Sequence, residues 1–259
     1  MAIITFMSDF GTKDHYVASV KAKILSMNEK QTIIDISHNI NPHDIMHASF
    51  VLNAVFRDFP KGTVHLVAVD SQIKQHEKFI AIKLEDHYFL GTDNGLFSLI
   101  SEVSPTLIVE IEHDTPKKET FAAKNILANI AFQIANGEDL QTLGKVIPSF
   151  NKMTKRQLRT NRNTIAGHIV HVDAFGNLIT NISKNVVEQI REARQIEILF
   201  GRENVTTIHS NYHSVEEGNC AVFFNSSDLL EITINTGNAN QLLGLNFDSP
   251  VNIIFTPTL

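Results

Sequence analysis

Cysteine is nearly absent from this chain of 259 residues, with Cys220 standing alone. One thiol excludes an intrachain disulfide and any zinc cage built on cysteines, and it suits a reducing compartment. An excess of basic charge is missing too. Lys and Arg total 22 against 28 Asp and Glu, a formal net charge of −6. Such a balance gives no support to a duplex-binding surface, so no nucleic-acid partner is expected. No stretch approaches the roughly 18 apolar residues that span a bilayer, and no membrane partner is expected. The opening segment MAIITFMSDFG lacks a basic n-region and reads as a short strand rather than a signal peptide. The expected location is cytoplasmic. Internal repeats and low-complexity tracts are lacking, as are the G-x-S-x-G elbow, the Walker lysine loop and the G-x-G-x-x-G fingerprint. His43 and His47 have chelating spacing on a predicted helix. With no H-E-x-x-H order and no third ligand, no metal site is expected.

What the chain does have is core material. Apolar residues make up 43%, Phe alone supplies 17, and charged residues at 19% argue against disorder. Residues 2–7 form an apolar run with β-branched members, as in a strand buried on both faces. Val17, Val20, Ile24 and Met27 follow a helical period over 16–27. Residues 32–36 and 63–69 read as further strands. Asn41 and Pro42 read as N-cap and first position of a helix carrying Ile45, Ala48, Leu52, Val55 and Phe56. A hairpin follows, 79–84 and 88–91 across Glu85, Asp86 and His87, then a strand at 107–111 and a helix at 125–135. This order predicts an α/β N-terminal domain over 1–160, a largely parallel sheet between helices. Residues 148–164, with Lys152, Lys155, Arg156, Arg159 and Arg162, read as a solvated connector. Beyond them short strands are expected at 165–172, 178–182, 195–200, 205–209, 219–225, 229–235 and 251–255, with brief helices near 184–191 and 239–243. That spacing predicts a C-terminal antiparallel β-barrel domain over 161–259.

Chemistry-bearing residues gather in the loops. Asp9 and Asp14 follow the first strand, at the edge where open α/β sheets place ligands. An ionised carboxylate accepts several hydrogen bonds, which suits a ribose diol, although turn chemistry and N-capping explain either Asp alone. Asp70 and Ser71 end the third strand on the same edge, and Gly91 to Gly95 follow the hairpin. Asp173 to Asn177, with Thr180 and Asn181, and Asn225 to Asp228 lie between C-terminal strands. Amides and hydroxyls can read a purine edge, and each such loop can equally be an Asx turn.

Taken together, these loops resemble one family, the S-adenosyl-L-methionine hydroxide adenosyltransferases, whose relatives include the fluorinase and chlorinase. The stretches that carry the resemblance are FMSDFGTKDHYVASVKAKI, NINPHDIMHAS, GTVHLVAVD, GTDNGL, HVDAFGNLITNI and FFNSSDLLEITINTG, in family order and nearly end to end. The resemblance implies an N-terminal α/β domain and a C-terminal β-barrel in a homotrimer, with inter-subunit sites. It implies S-adenosyl-L-methionine as substrate, or adenosine as ligand, and no separate cofactor. Carried over, Asp9 would hold the ribose diol, with Asp14 and Tyr16 beside the ligand and His43 at the place of an aromatic flanking the ribose. Asp173 would meet the methionine amine and Phe175 would stack on adenine. Asn177 and Ser226 would read the adenine edge, with Asn235 and the backbone near Thr236 beside it. Asp70 would be catalytic.

The chain also departs from the pattern. In the hydrolases a strand-end Asp works with an Arg seven residues on and a His in a T-F-H-G-R-D stretch. Here Asp70 is kept, Glu77 stands at the Arg position and Ala122 at the His position, so two of three water-activating groups are missing. His76 would substitute only if its loop shifts by one residue. The Arg that grips the methionine carboxylate in the halogenases is replaced by Ser227, and the halide-binding Ser by Ala123. The turn at Glu85 to His87 also lacks the fluorinase insertion. Three readings follow: a divergent S-adenosyl-L-methionine hydrolase, a binding protein that kept the adenosyl pocket and lost catalysis, or an enzyme using another nucleophile or a related adenosine substrate.

Overall fold

The computed structural model of the chain describes residues 1–72, 78–113 and 119–257. They fall into two units, Met1–Lys155 and Arg156–Leu259. In the first, the apolar runs become β1 (Ile4–Ser8), β2 (Ile33–Ser37), β3 (Val64–Ala68), β4 (Phe79–Leu84), β5 (His87–Thr92), β6 (Leu107–Ile111) and β7 (Gly144–Val146). They form one sheet in the order β2-β1-β3-β5-β4-β6-β7. The first four in that order run parallel, and β4, β6 and β7 are antiparallel to their neighbours.

Alternation along β1 explains why both faces are covered. Ile4 and Phe6 pack with Val20 and Ile24 of α1 (Tyr16–Met27) and with Ala131 and Ile134 of α3 (Ala128–Ala135). Met7 turns the other way, toward Ala48 and Leu52 of α2 (Ile45–Val55). Helices on both faces remove the solvated side that would call for polar residues, so these strands read as continuous apolar runs. Each fully buried Leu, Ile, Val or Phe contributes roughly 1.5–3 kcal/mol relative to exposure. The chain leaves β1 for β2 on one side and returns to β3 on the other. Strand order therefore reverses between β1 and β3, and ligands of open α/β sheets bind outside the strand ends at such a point.

Local signals and structure part company at several places, and β7, three residues long, forms where no strand is expected. Helix α2 begins at Ile45 and is capped by Asp44, whose side chain accepts from His47 N. Asn41 does not cap it, because His43 sits at φ 62°, a left-handed conformation through which a helix cannot continue. A π-helical turn, Ala123–Leu127, precedes α3 where an α-helix is expected from residue 125. The hairpin turn is the pair Glu85 and Asp86 alone, at φ 49° and 64°, the left-handed pair that matches the twist of two-residue hairpins. The strand expected at 205–209 forms instead at Glu203–Val205.

The second unit is antiparallel. Its strands are β8 (Arg159–Thr160), β9 (Thr164–Val172), β10 (Leu178–Ser183), β11 (Gln195–Phe200), β12 (Glu203–Val205), β13 (Cys220–Phe224), β14 (Leu229–Ile234) and β15 (Pro250–Thr256). They form a near-barrel sheet in the order β12-β11-β15-β9-β10-β14-β13, with β8 beside β9. Helices α4 (Lys184–Arg191) and α5 (Ala239–Leu243) are short. Leu230, Ile232 and Ile234 of β14 enter the core with Ile165, Ile169 and Leu178. The opposite face of β14 is polar yet buried, with Glu231 at 3% exposure and Thr233 at 1%. Among the described residues no helix is long and apolar enough to cross a membrane.

Candidate active site

Register sets the site. Ser8 of β1 lies opposite Ala68 of β3, so the loops after both strands leave the sheet side by side. Asp9 joins them: its Oδ2 accepts from the backbone N–H of His43 at 3.0 Å and of Asp70 at 3.2 Å. Both residues are left-handed, His43 at φ 62° and Asp70 at φ 45°. Such a conformation costs a non-glycine residue of order 1–3 kcal/mol, less for Asp, and persists where the surroundings over-determine it. The Asp9 carboxylate supplies that determination. Its Oδ1 has no hydrogen-bond partner among the described residues. The two left-handed residues then meet directly, His43 Nδ1 lying 2.8 Å from Asp70 Oδ1. The side chain of Asp70 is 10% exposed and that of His43 70%.

A chain running from the buried Ser8 and His38 to the exposed Asp35 supports the Asp9 loop. Ser8 Oγ lies 2.7 Å from His38 Nδ1, and His38 Nε2 lies 3.0 Å from Asp35 Oδ1. Burial raises the Asp35 carboxyl, but hydrogen bonds from Lys21 and His38 outweigh it and hold the group below its usual range. Ser, His and Asp in a row resemble a nucleophilic triad. Ser8 is fully buried, however, so its hydroxyl is out of reach of a substrate. The chain serves the loop instead, since Gly11 N donates to His38 O at 2.7 Å.

Tyr16 packs its ring against Phe10 at 6.0 Å and Phe121 at 5.4 Å. These three rings, with Ser71, Gln72, Glu119 and Ala122, line a cavity of about 220 Å³. Ala122, at the position of the expected imidazole, is therefore a wall of a cavity beside the strand edge. Asp14 is exposed and makes no hydrogen bond among the described residues. His76 and Glu77 lie outside the described residues. His47 is occupied locally, its Nδ1 accepting from Asn41 N at 3.2 Å.

In the second unit the candidate residues brace one another. Asp173 Oδ1 accepts from Phe175 N and Asn177 N, and Oδ2 from Asn177 Nδ2. Asn177, buried, accepts from Thr233 Oγ1 on β14. Gly176 turns this loop at φ 84°, and a Cβ there would collide with the Asn238 side chain. The result presents Phe175, 79% exposed, as a bare ring. Asn235 is buried and donates to Val215 O at 2.8 Å. Ser226 is exposed on a turn held by Asn225, whose Oδ1 accepts from Ser227 N and Leu229 N.

Sequence reasoning missed Glu231, which anchors this turn from below. It accepts from Asn225 Nδ2 at 3.0 Å and from Tyr212 OH at 2.9 Å. Burial, then the bond to Glu231, pushes the Tyr212 hydroxyl up to about 12, keeping it a donor. The signal was the alternation of β14, where a polar residue recurs on the face opposite the core. Phe10 and Phe121 were also missed as cavity walls, because their meeting depends on packing between distant segments.

Comparisons with known proteins give the family of the chain. Residues 4–144 match the SAM hydroxide adenosyltransferase N-terminal domain, and residues 167–252 match the C-terminal domain of the same name. The chain is 31% identical, over 98% of its length and 96% of the other, to an (R)-S-adenosyl-L-methionine hydrolase of Methanocaldococcus jannaschii. It is 28% identical to the hydrolase of that name from Thermus thermophilus, over 98% of this chain and 100% of that one. Among solved structures, an uncharacterized conserved protein from Thermotoga maritima superposes with a TM-score of 0.89 at 30% identity, covering 97% of this chain and 100% of that one.

Proposed function

The chain belongs to the SAM hydroxide adenosyltransferase family, and from that premise we propose that it hydrolyses S-adenosyl-L-methionine to adenosine and L-methionine. The observation that carries this reading is the Asp9 carboxylate at the strand-order reversal, one oxygen holding two left-handed residues and the other uncommitted. Oδ1 suits the two hydroxyls of a ribose, and a hydrogen bond to a charged group is worth about 1.5–3 kcal/mol. The exposed Phe175 ring suits a purine face, and Ser226 its edge.

The chemistry asks little covalent work of the protein. C5′ of the substrate carries a sulfonium, which leaves as a neutral thioether. Attack by water requires the oxygen about 3–3.5 Å from C5′, opposite sulfur, in a site that excludes bulk water. Water must also lose a proton, and a positioned base contributes about 10²–10⁴-fold. Asp70 stands at the edge where that work is done. We propose the working assembly as a cytoplasmic homotrimer.

A second reading, adenosyl binding without turnover, draws on Ala122, which leaves methyl and space where the hydrolases of this family carry an imidazole. Incubation with S-adenosyl-L-methionine, with adenosine followed by chromatography, separates the two. Adenosine accumulating with enzyme concentration supports hydrolysis. Bound nucleoside without release favours the second reading, and neither binding nor release contradicts both.

A further inference from the structure

Resting on the hydrolase reading, we propose that His43 is the general base that takes the proton from the attacking water, and that Asp70 is its positioning residue. The argument begins with the 2.8 Å contact between His43 Nδ1 and Asp70 Oδ1. An ionised carboxylate can only accept, so the proton of a neutral imidazole resides on Nδ1. Nε2 then carries the lone pair, and it meets no hydrogen-bonding partner among the described residues. The carboxylate that fixes the tautomer is shielded and the imidazole is presented, at 10% and 70% side-chain exposure. That is the division of labour of an orienting Asp and a working His.

The backbone strengthens the case. Neither residue would choose its left-handed conformation, and in an extended or helical one the two side chains would point elsewhere. Asp9 holds both N–H groups on a single oxygen, so the group suited to the ribose also sets the dyad. Substrate and base are thereby registered by one carboxylate. Of the other described imidazoles of the N-terminal unit, His38 is bonded to Ser8, His47 to Asn41 N, and His65 and His87 to each other inside the core, while neither His15 nor His113 lies against a carboxylate of the described residues.

The step balances without a further reactant. As water oxygen bonds to C5′, His43 Nε2 receives one of its protons. The C5′–S bond breaks with its electron pair passing to sulfur, so the sulfonium becomes the neutral thioether of methionine. The imidazolium then returns its proton to solvent, one proton released per turnover. On this account Ala122 is tolerated because His43 supplies the imidazole.

The test is His43→Gly, since glycine is at ease at φ 62° and the missing ring leaves room for free imidazole. The rate should fall by about 10²–10⁴-fold and rise again in proportion to added imidazole. Asp70→Asn, which keeps a residue tolerant of the left-handed backbone, should lower the wild-type rate but add little to His43→Gly, because a positioning residue acts through the ring. His76→Ala should retain the rate. A His43→Gly rate comparable to wild type overturns the proposal, as does a lost rate that imidazole does not restore, or a loss in His76→Ala that imidazole does restore. No adenosine from the wild-type protein removes the dyad and the hydrolase reading together, whereas adenosine formed at an unchanged rate by His43→Gly removes the dyad alone.

Discussion

Asp9 and Asp173 are the same residue type, each in a loop after a strand, and their carboxylates are used in opposite ways. Asp9 engages one oxygen with two backbone N–H groups and leaves the other uncommitted, beside an exposed imidazole. Asp173 engages both oxygens with its own loop, and its neighbour Asn177 is bonded on both ends of the amide. The N-terminal edge holds strain and keeps polar capacity in reserve. The C-terminal loop is satisfied internally and offers a ring, Phe175, and a hydroxyl, Ser226. A motif match alone does not separate a carboxylate that meets a ligand from one that shapes the loop which does.

The interiors differ as well, and this gives the largest expected effect. The N-terminal unit buries a chain in which Thr5 Oγ1 lies 2.7 Å from His65 Nδ1, and His65 Nε2 lies 3.1 Å from His87 Nδ1. Burial first, then the neighbouring His87, pushes His65 from 6.5 down to about 3. Between those values the unfolded chain binds a proton that the folded one refuses, so stability is complete above the upper value and falls as pH drops through the window. Acidification from pH 6.5 to 4 should therefore remove about 3 kcal/mol through His65 alone. Hydrogen exchange at pH 4 should show the N-terminal unit opening first, and earlier opening of the C-terminal unit would contradict this.

Next in size is Asp9→Ala. Losing the ribose contacts and freeing both left-handed residues should weaken adenosine binding by about 100-fold, since bonds to a charged group are worth about 1.5–3 kcal/mol each. Calorimetry with unchanged affinity would remove Asp9 from the site. The counterpart, Asn177→Ala, should act on stability, costing about 1–3 kcal/mol by stranding the buried Thr233 hydroxyl and the Asp173 carboxylate. Thermal unfolding reads that loss, and an unshifted midpoint would break the contrast. The smallest effect belongs to Phe175→Ala. Loss of base stacking should weaken adenosine binding by about tenfold while leaving the unfolding midpoint in place, and a lowered midpoint would make Phe175 structural instead.

Much of this was legible in the residues. Strands β1 to β6 of the N-terminal sheet show in their apolar runs, α1 in its helical period, and the carboxylates Asp9 and Asp70 in their places at strand ends, whereas β7 is too short to show. The start of α2 was not legible, because Asn41 and Pro42 give a sound local signal that tertiary contacts override. The Asp9 bond to His43 N holds that residue left-handed, and nothing near His43 in sequence announces a partner 34 positions back. The His43–Asp70 pair was hidden for the same reason, since it depends on β1 lying between β2 and β3. The strand displaced to Glu203–Val205 pairs with the end of β11, where register rather than composition decides. In the second unit, alternation along β14 already showed a polar face, but only the folded sheet shows that it is buried and that Glu231 holds Asn225 and Tyr212.

The central claim is attack of water at C5′ in a site organised by Asp9, and isotope labelling tests it most directly. The protein is incubated with S-adenosyl-L-methionine in water enriched in oxygen-18, and the adenosine is examined by mass spectrometry. The account predicts one labelled oxygen, at the 5′ position, with one methionine released for each adenosine and the yield lost in Asp9→Ala. Adenosine without the label, or a labelled yield that Asp9→Ala leaves intact, would contradict it.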